Sequence, residues 1–292
     1  LGAQPDSNVV ISVTSGDTGE ATVSPATLTF TNGNWNSAQT VTVTGVDDNL
    51  VDGSVNTTIT MAVVDASSDD KFDALADQTV TATTTDDDTA GFTLSKTTAT
   101  VSEGADTDTY TVVLNAQPDS DVVITVTSAD TGEVTVSAAE LTFTNGNWNS
   151  AQTVTVTGVD DNLVDGSVNT LVTMAVKDAS SDDNFDGVSD QTVTVTTTDN
   201  DTAGFTLSST TATVTEAAGG GNTATYTVVL NAQPDSDVVI SVTSGDTGEA
   251  TVSAANLTFT NGNWNSAQTV TVTGVDDNII DGNQNTTITM SV

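Results

Sequence analysis

The sequence predicts an all-β protein, built from tandem immunoglobulin-like Greek-key β-sandwiches arranged end to end. Nineteen residues, TNGNWNSAQTVTVTGVDDN, recur almost as a signature, starting at Thr31, Thr144 and Thr260. Their spacings of 113 and 116 residues far exceed the roughly 20–50-residue period of a solenoid, so each copy has the length of a domain with its own core. Within each copy, short runs rich in Val, Thr, Tyr and Phe alternate apolar with polar residues, which is the period of a half-buried strand. No helical period of useful length interrupts them.

The complete middle copy, from about Ala90 to Thr202, sets the order of elements. Strands are expected at Gly91–Ser95, Thr107–Leu114, Asp121–Thr127, Glu140–Thr144, Gln152–Thr157, Thr170–Val176 and Gln191–Thr197. Each is a five- to eight-residue run of good β-formers. Turn clusters such as Asn115–Ser120 and Asn145-Gly146-Asn147 divide them. Seven or more such strands in about 110 residues are the mark of a two-sheet sandwich. In Gln152–Thr157 the valines share one face and the threonines the other, so the valines should point inward. Trp148, with Trp35 and Trp264, precedes that strand and is expected to pack at the core edge. Gly219-Gly220-Gly221 reads as a hairpin turn and accounts for the longer second spacing.

The copies are expected to span 1–89, 90–202 and 203–292. Leu1-Gly2-Ala3-Gln4-Pro5 matches Leu114-Asn115-Ala116-Gln117-Pro118, so the first copy starts without its opening strands. Met290-Ser291-Val292 matches Met174-Ala175-Val176, so the third stops before its closing strands. A segment of a longer array explains both ends; neighbouring chains completing each other's sandwiches is the alternative. Between copies, Asp86-Asp87-Asp88-Thr89 runs directly into Ala90-Gly91-Phe92, and Asp199-Asn200-Asp201-Thr202 into Ala203-Gly204-Phe205. A flexible tether would need a Gly/Ser run, so the joints are expected to be short and acidic.

Charge narrows the function. Forty acidic residues face three basic ones, all lysine, giving a net charge of −37 with no histidine. That excess argues against nucleic acid or an anionic membrane as partner. It suits a solvated surface, or carboxylates gathered to hold divalent cations. With no cysteine there is neither a disulfide framework nor a thiolate metal site. No apolar run approaches the roughly 20 residues of a membrane span. Triads and most general-base arrangements lack their residues, so no enzymatic activity is expected.

A strand ending in Val-Ser-Glu, a later strand running into Asp-Asp-x-x-x-Asp-Gly, and a closing acidic run together resemble the Calx-beta domain, known from sodium/calcium exchangers and from tandem arrays in bacterial surface and adhesin proteins. The near-identical copies look more like the surface arrays. The resemblance implies calcium held at one end of each sandwich by acids from four places. The opening-strand glutamate corresponds to Glu103 and Glu216, and the glutamate before the middle strand to Glu20, Glu133 and Glu249. The paired aspartates correspond to Asp47 and Asp48, Asp160 and Asp161, and Asp276 and Asp277. The closing acids correspond to Asp86, Asp87 and Asp88, and to Asp199 and Asp201, with Asn200 replacing an acid. Asp52, Asp165 and Asp281 stand where the family usually has glutamate.

Coordination chemistry agrees: calcium takes about six to eight oxygens, and two carboxylates about 4 Å apart repel by about 4 kcal/mol at an effective dielectric of 20. An empty cluster should therefore loosen its loops. A second candidate, Asp182-Asp183-Asn184-Phe185-Asp186-Gly187, matches the first half of an EF-hand loop, but position twelve is Val193 and the same place in copy one carries Lys71.

The functional expectation is an extracellular or cell-surface structural segment, bacterial in type. Calcium-stiffened copies would form a stalk or fibre, each adding about 30–40 Å of reach. Its partners would be neighbouring repeats and possibly other copies in a fibre. The alternatives are a calcium-sensing regulatory module, a carbohydrate-binding module, for which a single Trp per copy is poor support, or a subunit of a self-assembling filament.

Overall fold

The computed structural model describes residues 1–216 and 222–292; the Gly219–Gly221 turn lies outside them. In the first copy the strands are β1 (Val9–Ser15), β2 (Ala21–Ser24), β3 (Thr27–Phe30), β4 (Thr42–Gly45), β5 (Val55–Val63) and β6 (Gln78–Thr84). The second contributes β7 (Phe92–Leu94), β8 (Thr98–Ser102), β9 (Thr107–Leu114), β10 (Val122–Ser128), β11 (Val134–Val136), β12 (Glu140–Phe143), β13 (Gln152–Gly158), β14 (Val168–Val176) and β15 (Gln191–Thr198). The third contributes β16 (Phe205–Leu207), β17 (Thr223–Leu230), β18 (Val238–Ser244), β19 (Ala250–Val252), β20 (Asn256–Phe259), β21 (Gln268–Gly274) and β22 (Ile288–Ser291). The remaining regular pieces are three-residue 3-10 turns, among them Asp183–Phe185.

The middle copy is a sandwich of a five-stranded sheet, ordered β12-β10-β14-β15-β8, and a four-stranded sheet, β11-β13-β9-β7. Its core is aliphatic and aromatic: Tyr110, Ile124, Phe143, Met174 and Phe185 are buried along with the inward valines of both sheets. Alternation works as expected in β13, where Val154 and Val156 are buried, and Trp148 lies against the cluster from its edge. The order β20-β18-β22 and β16-β17-β21-β19 repeats this plan in the third copy, and β3-β1-β5-β6 with the pair β2-β4 in the first.

Two strands fall outside the expected runs. β11 is only three residues long. β8 carries alanine and threonine where a strong strand would carry larger groups, and it is held by parallel pairing to β15, from Thr194↔Thr98 to Thr198↔Ser102. That partner is almost a hundred residues away, beyond the reach of local pattern.

Val156 of β13 is fully buried, in a strand flanked within its sheet by β11 and β9.

Candidate metal centre

Strand direction gathers the acids. β8 and β15 run parallel with Ser102 opposite Thr198, so Glu103 and Asp199–Asp201 leave the sheet at the same end. β11 and β13 run antiparallel with Val134 opposite Gly158, which brings Glu133 and the Asp160–Asp161 pair to that end too. Backbone bonds seal the arrangement: Glu103 N–H donates to the Thr198 carbonyl (3.1 Å), and Val159 N–H to the Glu133 carbonyl (2.9 Å). β13 can approach β8 this closely because residue 158 is glycine; a Cβ there would stand 2.2 Å from the Ser102 carbonyl oxygen.

Two carboxylate triads result, Glu103–Asp161–Asp201 and Glu133–Asp161–Asp165, each with one oxygen per residue within 4.8 Å of the others. Asp161 belongs to both. Glu103 is buried, at 5% exposure. Asp161 also shapes its own loop, accepting from Leu163 N–H at 2.7 Å.

Other expected ligands serve as braces. Asp199 accepts from Gly166 N–H (2.9 Å) and Asp201 N–H (2.6 Å). It thereby ties the closing segment to the turn where Gly166 sits at φ +75°, a conformation that suits glycine. Asp160 lies outside the triads and accepts from Asn200 Nδ2 at 3.0 Å, so the asparagine in the closing run supplies a donor where an acid would add charge. Asn200 N–H also reaches Glu103 at 3.3 Å.

Electrostatics mark the cluster as short of positive charge. Burial first, then Asp161, Asp199 and Asp165, push Glu103 upward despite the Asn200 N–H. Burial, Asp165 and Asp161 do the same at Glu133. Burial leads again at Asp165, with Asp161 and Asp199 behind it, and at Asp201, with Asp199, Asp160 and Asp161. Asp199 moves the other way, lowered by the Gly166 and Asp201 N–H groups. No lysine relieves the crowding, since Lys71 pairs with Asp6, Lys96 with Asp108 and Lys177 with Glu140. Hard carboxylate oxygens converging with no cation among them fit a hard divalent ion such as calcium.

In the first copy, Glu20, Asp47, Asp48, Asp52, Asp86, Asp87 and Asp88 line one cavity of about 30 Å³. Asp86 braces it as Asp199 does, accepting from Gly53 N–H at 2.9 Å. Burial and then neighbouring acids raise Glu20, Asp52 and Asp88. In the third copy Glu249 is raised by burial, then by Asp281, Glu216, Asp246 and Asp277, and Asp277 accepts from Ile279 N–H. Asp276 precedes it in an exposed loop. Among the described residues, the close triads are confined to the second copy.

The loop that carries the paired aspartates also reaches the next copy. Gln117 N–H donates to the Asn49 carbonyl at 2.7 Å, and Val51 N–H returns a bond to the Gln117 carbonyl at 3.2 Å. At the second joint Gln233 N–H donates to the Asn162 carbonyl at 2.6 Å. These bonds make one-residue parallel bridges, Leu50↔Gln117 and Leu163↔Gln233. Asp119 and Asp235 face the acid loops across the joints, contributing to the upward shifts of Asp52 and Asp165. Sequence reasoning passed over these residues; the signal was the Gln-Pro-Asp tripeptide repeated at Gln4, Gln117 and Gln233.

In the half EF-hand motif the first aspartate is engaged by backbone groups. The two Asp182 oxygens accept from Ser120 N–H and Asn184 N–H, both at 3.0 Å, and Phe185 is buried in the core. It is a capped turn. In the first copy Asp69 accepts from the Asp6, Ser7 and Lys71 amides in the same manner.

Comparisons with known proteins follow the same lines. The family model described as the Calx-beta domain matches residues 4–88, 85–201 and 198–292. Among solved structures the chain is similar to domains 4 and 5 of the S-layer protein SbsC, with 18% identity over 64% of this chain and 70% of that one and a TM-score of 0.33. It is also similar to CBD12 from CALX1.2 (15% identity, 63% and 76% covered, TM-score 0.30). The apo-form Calx CBD1 domain matches at 15% identity, covering 39% of this chain and 100% of that one, with a TM-score of 0.30. No curated protein matches.

Proposed function

The chain belongs to the Calx-beta domain family, matched three times along its length, and from that premise we propose that it is a calcium-binding structural segment whose ions stiffen the joints between copies. In the second copy Glu103, Glu133, Asp161, Asp165 and Asp201 would hold calcium, and in the first the acids lining the cavity would do so. The bound ion would supply the positive charge that these carboxylates lack. Asp160 and Asp199 keep the loops in shape around it.

One observation carries the proposal: the acid loop and the joint are the same piece of chain. Asp161 belongs to both triads, and the next residue, Asn162, accepts the Gln233 N–H of the following copy. Ordering the loop therefore orders the joint. Copies joined this way would act as a stiff stalk or fibre outside the cell, with neighbouring repeats as partners and other copies where fibres assemble.

Scattering and thermal melting with and without a chelator test the proposal. Calcium should raise the melting temperature and lengthen the particle. Unchanged values for both would refute it. Asp160 and Asp161 replaced together by Asn should reproduce the chelator effect at the second joint alone.

A further inference from the structure

The turn Asp182–Phe185 is used neither by the sandwich pattern nor by the acid cluster, and the side chains of Asn184 and Phe185 engage different copies. Phe185 enters the core of the second copy with no exposure, in the cluster that also holds Phe92, Leu114 and Val122. Asn184 reaches out of the copy altogether: its Nδ2 donates to the Val51 carbonyl of the preceding copy at 2.6 Å. Val51 itself packs against that cluster and donates its own N–H to Gln117. The preceding copy's loop is thus held between the Gln117 turn and the Asn184 turn.

In the first copy the position of Asn184 holds Lys71, which pairs with Asp6 of its own copy.

We infer that Asp182–Phe185 is a receptor for the preceding copy: Phe185 anchors it, Asn184 latches Val51, and the residue at position 184 decides whether a copy can close on the one before it. The latch is a hydrogen bond and a buried aromatic ring, so it stands or falls apart from the calcium reading. Asn184→Ala and Asn184→Lys test it, since the cap at Asp182 uses the backbone N–H of residue 184 and survives both changes. Amide exchange at Val51 and Gln117, followed by NMR in chelator, should accelerate about fivefold in both variants, the effect of one lost hydrogen bond on local opening. Gln233 at the second joint should be unaffected. Unchanged exchange at Val51 and Gln117 overturns the latch, and so does equal acceleration at Gln233, which would mean general loosening. Calcium slowing the same amides in a variant that chelator leaves unchanged would sink the latch while sparing the calcium reading.

Discussion

The Ser102 carbonyl oxygen stands so close to Gly158 that a Cβ on residue 158 would lie 2.2 Å from it. Because Ser102 precedes Glu103, this approach of β8 to β13 helps to define the buried corner of the acid cluster. Gly158→Ala should cost about 1–3 kcal/mol, as forced overpacking does, and should weaken calcium binding by displacing Glu103. The counterpart Gly45 has the same neighbours in sequence, yet a Cβ there would meet only Thr84 Cγ2 at 3.6 Å, an ordinary contact. Gly45→Ala should therefore leave stability nearly unchanged. Chemical denaturation and calcium titration of the two variants check the pair.

Asp161→Asn should change sign with calcium. Asparagine keeps an oxygen for the Leu163 N–H but removes the charge common to both triads. In chelator the variant should melt at or above the wild-type temperature, because like-charge repulsion is relieved. In calcium it should melt lower, with affinity reduced about tenfold or more, at least the loss seen when mere supporting residues of a metal site are removed. Calorimetric melting and titration in both conditions provide the check.

Asp199→Ala should behave differently. Asp199 receives the Gly166 and Asp201 amides and is lowered by them, so its loss removes a brace whether or not calcium is bound. The melting temperature should fall in both chelator and calcium. A fall in calcium alone would make Asp199 a ligand first and a brace second.

The pH dependence should also separate the two states. Glu103, Glu133, Asp165 and Asp201 are raised in the folded protein, chiefly by burial and then by their neighbours. A carboxylate raised on folding binds more protons folded than unfolded, so metal-free stability falls as pH climbs from the ordinary carboxylate range through the raised values. Asp199 and Asp86, lowered by backbone N–H groups, contribute stability that is lost only further towards acid. In chelator, the melting temperature should thus rise on acidifying from neutral to about pH 5, just above the ordinary carboxylate values. In calcium it should drop over the same range, because protons compete for the ligands.

Much of this was legible from residues. The valine alternation of Gln152–Thr157 appears as the buried face of β13, and the acids singled out as Glu103, Glu133, Asp161, Asp165 and Asp201 converge. β8 was missed as a strand because Thr98–Ser102 is a weak run that depends on β15. Asp182–Asp186 reads in sequence as half a metal loop and folds as a capped turn; the pattern is shared because both use aspartate to accept backbone N–H groups.

By itself, the sequence determined the repeat, the strand faces and the excess of acid, since each depends on period and composition along the chain. Tertiary structure alone decided which acids meet and which merely brace a loop, because that depends on strand direction and register: Glu103 meets Asp201 only because β8 and β15 run parallel.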